Sequence, residues 1–144
     1  MCEDDKRALW TVRRQINEIG RREEGLREMR QRTIGSPRID GMPGGGSNAD
    51  AATGRLIRIE TLERELKRER SKAERMQKAT RNRLRSLRDT GMSEKEHIFC
   101  DAYFCTALDV YHSSILAGVS ERTAMRYIKA ASLKEEQTQK ETGS

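Results

Sequence analysis

The stretch Ser113-Ser114-Ile115-Leu116-Ala117-Gly118-Val119-Ser120-Glu121-Arg122-Thr123-Ala124-Met125-Arg126-Tyr127-Ile128-Lys129 reads as two short helices joined by a tight turn. Ser114 and Ala117 are small where two helices must cross. Gly118 tolerates the positive φ that such a turn demands. Val119 follows as an apolar plug, and Ser120 is of the type that caps a helix N-terminus. The helix after it turns Ala124 and Tyr127 or Ile128 inward. Its outer side carries Glu121, Arg122, Thr123, Arg126 and Lys129, which with Ser120 are the candidate DNA contacts of this helix. These features fit a helix-turn-helix, whose second helix enters the major groove of double-stranded DNA by its N-terminal part. The plainer alternative is a helical hairpin with a glycine turn. Ser113 departs from the pattern, because such motifs place a branched apolar residue there, and Ile115 or Leu116 is expected to supply the packing instead.

Upstream, Asp89-Thr90-Gly91 ends a helical pattern, and Ser93 starts another with Glu96 in capping-box order. Ile98, Phe99, Tyr103 and Phe104 form its expected buried face. A second helix is expected from about Thr106 to Ala117, and a third from Ser120 to about Leu133. Residues 91–133 are therefore read as a three-helix domain, with 134–144 as a polar tail. This domain holds four Lys/Arg against five Asp/Glu, too few cations to attract a polyanion strongly alone.

The missing charge lies just before it. Residues 55–90 hold thirteen Lys/Arg against six Asp/Glu, although the whole chain is only +6. From Arg70 to Arg88 the run is Arg70, Lys72, Arg75, Lys78, Arg81, Arg83, Arg85 and Arg88, with Glu74 the only acid. It leads directly into the helix-turn-helix, so Arg81, Arg85 and Arg88 are candidate phosphate contacts. A solvated helix face is the competing reading for any such run.

Further upstream, two helical stripes stand out. Leu9, Val12, Ile16, Ile19 and Leu26 share one face of a helix over about 4–32. Ile59, Leu62, Leu66, Ala73, Met76, Thr80, Leu84 and Leu87 follow a heptad-like spacing from Thr53 to about Asp89. Glu23, Arg30 and Glu69 interrupt these seams. Between them, Gly35-Ser36-Pro37 and Met42-Pro43-Gly44-Gly45-Gly46 disfavour helix and mark a loop over 34–53. It lacks the strand before and the Gly-Lys-Ser/Thr after that a phosphate-cradling loop requires. Residues 1–90 thus read as a coiled-coil-like antiparallel hairpin, with seams thin enough that a second copy or a partner is expected to complete a bundle. The expected fold is all-α: this long hairpin followed by the helix-turn-helix domain, which is expected to remain folded without residues 1–90.

Composition sets outer limits. Charged residues reach 36%, apolar residues 34% and aromatics 4%, too little apolar material for one large core. Cys2, Cys100 and Cys105 are odd in number and form no disulfide framework, which with no evident leader points to a reducing cytoplasm. No apolar run approaches the roughly 20 residues needed to span a bilayer, so no membrane role is expected.

The charged helix pair, the Met42–Gly46 Met-Pro-Gly-Gly-Gly loop and the terminal Gly-Val-Ser-Glu-Arg-Thr turn together resemble the ArpU-like phage transcriptional regulators. The resemblance covers roughly residues 10–131, and the segment Asp101 to Tyr111 departs from the family wording. It implies a C-terminal module similar to region 4 of sigma factors, with Arg122, Thr123, Arg126 and Lys129 on the DNA-reading face. It also implies regulation of phage genes in a bacterial host cell, with RNA polymerase as a candidate partner.

Other readings compete. A phage DNA-packaging component can combine a helix-turn-helix with a helical assembly region. An inhibitor of a nucleic-acid enzyme could instead use the basic helix to grip an acidic protein. Catalysis is not expected: His97 and His112 lie in no recognisable motif, Ser113-Ser114 has no partnered base, and the spacing of Cys100 and Cys105 is poor for zinc. No cofactor is called for.

Overall fold

Three acids, Glu3, Asp4 and Asp5, open a 33-residue helix, α1 (Glu3–Gly35), in the computed structural model, which describes residues 1–35 and 45–133 and the side chains of 1–33 and 51–133. A second long helix, α2, runs Gly45–Asp89. Three short helices follow: α3 (Glu94–Cys100), α4 (Val110–Ala117) and α5 (Glu121–Ala130). The described chain is all-α, as its periodicities predict. The glycine loop expected over 34–53 falls partly on 36–44, outside the described residues, as does the tail 134–144. The rest of that loop expectation is corrected: α2 already begins at Gly45.

Two compact units emerge, and both long helices contribute to each. One unit comprises Glu18–Lys72. Here Ile19, Ile59 and Leu66 are buried, while Leu26 and Leu62 are half-buried. The charges that break the seams are cross-helix partners: Arg22 pairs with Glu69, Arg70 with Glu23, and Arg30 with Glu63. From residues 22 and 23 to 30 on α1 the partners run from 69 and 70 back to 63 on α2, so the pairing is antiparallel. Exposed pairs of this kind contribute little to stability. They set opposite charges against each other across the seam.

The other unit joins Met1–Asn17 to the described residues from Ala73 onward. Its core gathers Leu9, Leu84, Phe99, Cys100, Tyr103, Phe104, Cys105, Ala117, Ala124 and Ala131. Five of the chain's six aromatic residues meet in it: Trp10 lies edge-on to Tyr103 and Phe104, Phe99 stacks on Tyr103, and Tyr127 tilts against Phe99. The helix-turn-helix region therefore does not stand on residues 91–133 alone. A cut at residue 90 would remove Leu9, Trp10 and Leu84 from its core.

Long-range bonds to backbone carbonyls lock the same unit. Arg13 donates to the carbonyl of Tyr103 and, over 2.8 Å, to that of Leu108, with its guanidinium 3.7 Å above the Tyr103 ring. Gln77 donates to the Cys105 carbonyl at 2.6 Å. These carbonyls border a wide turn. After α3 the chain forms a π-helical segment, Asp101–Cys105, closed by the Thr106 N–H on the Asp101 carbonyl at 3.1 Å. The loosened backbone needs outside donors, and α1 and α2 supply them.

Two expectations are corrected here. The second helix starts at Val110, capped by Asp109, rather than at Thr106, and Ala107 takes a φ of 58° in the connection. Ile98 is 38% exposed instead of buried, while Cys100 and Cys105 fill the core. Burial pushes both thiols up, that of Cys105 to about 12.

Candidate nucleic-acid interface

The turn preceding α5 has the local chemistry its sequence implies. Gly118 adopts φ 68° and ψ 36°, the left-handed conformation in which an L side chain is strained. Its N–H bonds the Ile115 carbonyl at 3.1 Å, and the Val119 N–H bonds that of Ser114 at 3.0 Å, so two of the last four carbonyls of α4 are satisfied by the turn. Val119 packs partly buried against the core. Ser120 then caps α5, its Oγ accepting the Thr123 N–H at 3.2 Å.

Small residues face the core where α4 and α5 pack. Ser113, Ser114, Ala117 and Ala124 are buried, with Tyr127 and Ile128 packed at the edge. The expectation that Ile115 or Leu116 replaces the packing at Ser113 is not met: they are 58% and 60% exposed. Ser113 itself is fully buried, and its Oγ has no hydrogen-bond partner among the described residues.

On the outer side of α5, Glu121, Arg122, Arg126 and Lys129 are exposed. The side chains of Arg122, Arg126 and Lys129 make no hydrogen bond or ion pair among the described residues. Thr123 differs, being half-buried with its hydroxyl 3.1 Å from that of Ser120. Ser120 and Thr123 thus build the cap, and the three cations are left available.

The candidate phosphate contacts on α2 divide in the same way. Arg81 pairs with Asp101 at 2.9 Å and reaches the Thr106 hydroxyl, and Arg88 lies 3.8 Å from Glu94. Arg85, on the same helix face, has no partner among the described residues. Lys78 shares that face and that freedom. Among the described residues no hydrogen bond or ion pair joins these residues to the α5 cations; the two sets sit on separate helices of one compact unit.

Sequence reasoning missed three residues that shape this region. Asp109 caps α4, accepting the His112 N–H at 2.7 Å. That bond, with a second from the His112 ring, holds the Asp109 carboxyl below the usual carboxylate range. Its local signal is an Asp directly before Val110. Arg13 and Gln77 carried none, because their partners lie 90 and 28 residues away. Among the described residues no three His, Cys, Asp or Glu gather as a metal site, and no helix is long and apolar enough to cross a membrane. Compared with known proteins, the chain matches no family model, no curated sequence and no solved structure.

Proposed function

We propose that this protein binds double-stranded DNA through α5 and acts as a transcriptional regulator of the phage type that its sequence resembles, in the cytoplasm of a bacterial host. The observation that carries the reading is the conjunction at Gly118: a left-handed turn, a Ser120-capped helix, and three cations on that helix's outer side that are unpaired among the described residues. Lys78 and Arg85 would add sequence-independent phosphate contacts. Self-association belongs to the same proposal. Two open grooves of about 480 and 440 Å³, both lined by Leu26 and Leu66, leave the hairpin seam incompletely covered.

A salt-dependent mobility shift on duplex DNA tests the proposal. Affinity is expected to fall steeply with salt, and Arg126→Ala to cost about 1–3 kcal/mol on a preferred site while leaving random duplex little affected. Arg85→Ala should weaken both duplexes equally. Absence of binding at low salt would overturn the reading.

One observation favours a protein partner as a second reading. The outer side of α4 carries Tyr111, Ile115 and Leu116, each 58–60% exposed, and no Lys, Arg, Asp or Glu. RNA polymerase is the candidate that the resemblance implies. Co-purification with polymerase, lost on Ile115→Glu, would support it.

A further inference from the structure

The outer side of α5 is not wholly polar. Arg122, Met125, Arg126 and Lys129 fall on one helical face, and Met125 is 54% exposed among them. Arg122 stands nearly one turn before it, Arg126 beside it and Lys129 about one turn after, and none of these cations is engaged elsewhere among the described residues. Among the described residues of the three short helices, the other exposed apolar side chains are Ile98 on α3 and Tyr111, Ile115 and Leu116 on α4. Of these described residues only Met125 has three cations beside it on its own helix face.

A methionine held in water on a capped helix contributes little to the chain's own core. Its unbranched thioether suits an irregular apolar surface on a ligand. If the surrounding cations meet phosphates and guanine edges, Met125 is carried towards the base pairs. The principal apolar group exposed in the major groove is the thymine C5-methyl.

We infer that Met125 packs against the C5-methyl of a thymine in the site that α5 reads, making that base pair a specificity position. The inference rests on the DNA-reading proposal and adds a residue and a base to it.

The test starts with selection of preferred sites from a random duplex pool by the full chain. Each thymine of the preferred duplex is then replaced in turn by deoxyuridine, which lacks only the methyl. One replacement is expected to weaken binding about fourfold, the increment for one buried methyl-sized group. Met125→Ala should weaken binding to the thymine duplex and lose the discrimination at that position, with melting unchanged. Met125→Gln, matched in length and polar, should behave likewise. Selective binding with no uracil-sensitive position, or a Met125→Ala protein that still senses the methyl, would overturn the inference and leave DNA reading intact. A pool that yields no preferred duplex would remove sequence reading itself, and the inference with it.

Discussion

The indole N–H of Trp10 donates to the carbonyl of Ala131 over 2.9 Å, tying the third turn of α1 to the C-terminal end of α5. The two residues are 121 positions apart in sequence. That carbonyl lies just beyond the last turn of α5, where helix carbonyls lack intrahelical partners. The N-terminal helix thus completes the helix that carries the candidate reading face.

Removing residues 1–17 should therefore unfold the C-terminal unit, and point changes should grade the effect. Leu9 is 1% exposed, so Leu9→Ala is expected to cost about 2–5 kcal/mol. Trp10→Phe keeps an aromatic ring but loses the bond to Ala131, for about 1 kcal/mol. Chemical denaturation followed by circular dichroism measures all three. A chain starting at residue 18 that melts like the full chain would contradict the assignment.

Gly118 gives a separate test of the turn. A Cβ built there meets nothing within 4 Å, so a substitution faces backbone strain and no clash. Gly118→Ala should cost about 1–2 kcal/mol, Gly118→Val more, and Gly118→Asn least, because Asn tolerates the left-handed region. Thermal melting orders the three. Equal melting of the Val and Asn variants would remove φ as the cause.

Local signals in the sequence were reliable, and long-range ones were largely silent. The stripes from Leu9 to Leu26 and from Ile59 to Leu87 are buried or half-buried throughout, because helical period encodes a face directly. Ser93 and Ser120 cap the helices their hydroxyls suit, and Gly118, with no Cβ, takes the left-handed turn. The start of α4 lies later than Thr106, since the π-helical segment before it changes the register and has no pattern of its own; Ile98 precedes that segment, and its exposure has no such cause. The sharing of a core by Leu9 and Leu84 with Phe104 was not legible either. On the candidate face, charge identified Arg122, Arg126 and Lys129, but not that Thr123 is tied into the cap or that Arg81 and Arg88 have acidic partners.

Acid should destabilise the fold through two carboxylates. Burial raises the Asp5 carboxyl, but hydrogen bonds from Cys2 and Arg83 outweigh it and leave the group below the ordinary 3.8. The bonds from His112 lower Asp109 in the same way. A depressed folded value means that the unfolded chain binds more protons in acid. The stabilisation is therefore complete above about pH 4 and is lost as pH falls through the folded values. Asp109→Asn keeps a capping side chain without the charge, so it should melt near wild type at neutral pH and lose less on acidification. Identical acid slopes for wild type, Asp5→Asn and Asp109→Asn would rule these groups out.

Ser113 and Ser114 should respond to alanine with opposite signs. Both are buried on α4, but the Ser114 hydroxyl donates to the Tyr111 carbonyl at 2.7 Å, whereas that of Ser113 has no partner among the described residues. A buried hydroxyl without a bond costs about 1–3 kcal/mol in desolvation, and a satisfied one contributes about 0.5–1.5. Ser113→Ala removes that cost and leaves only a small void, so the variant should be more stable than wild type by about 1 kcal/mol. Ser114→Ala should be less stable by a similar amount. Replacement by Val at 113 would add the branched apolar group usual at this point of a helix-turn-helix, but Ser113 is 0% exposed and overpacking could offset the gain. Denaturant midpoints at constant slope separate the outcomes. If Ser113→Ala is destabilising, the hydroxyl has a partner in solution and the argument from its isolation fails.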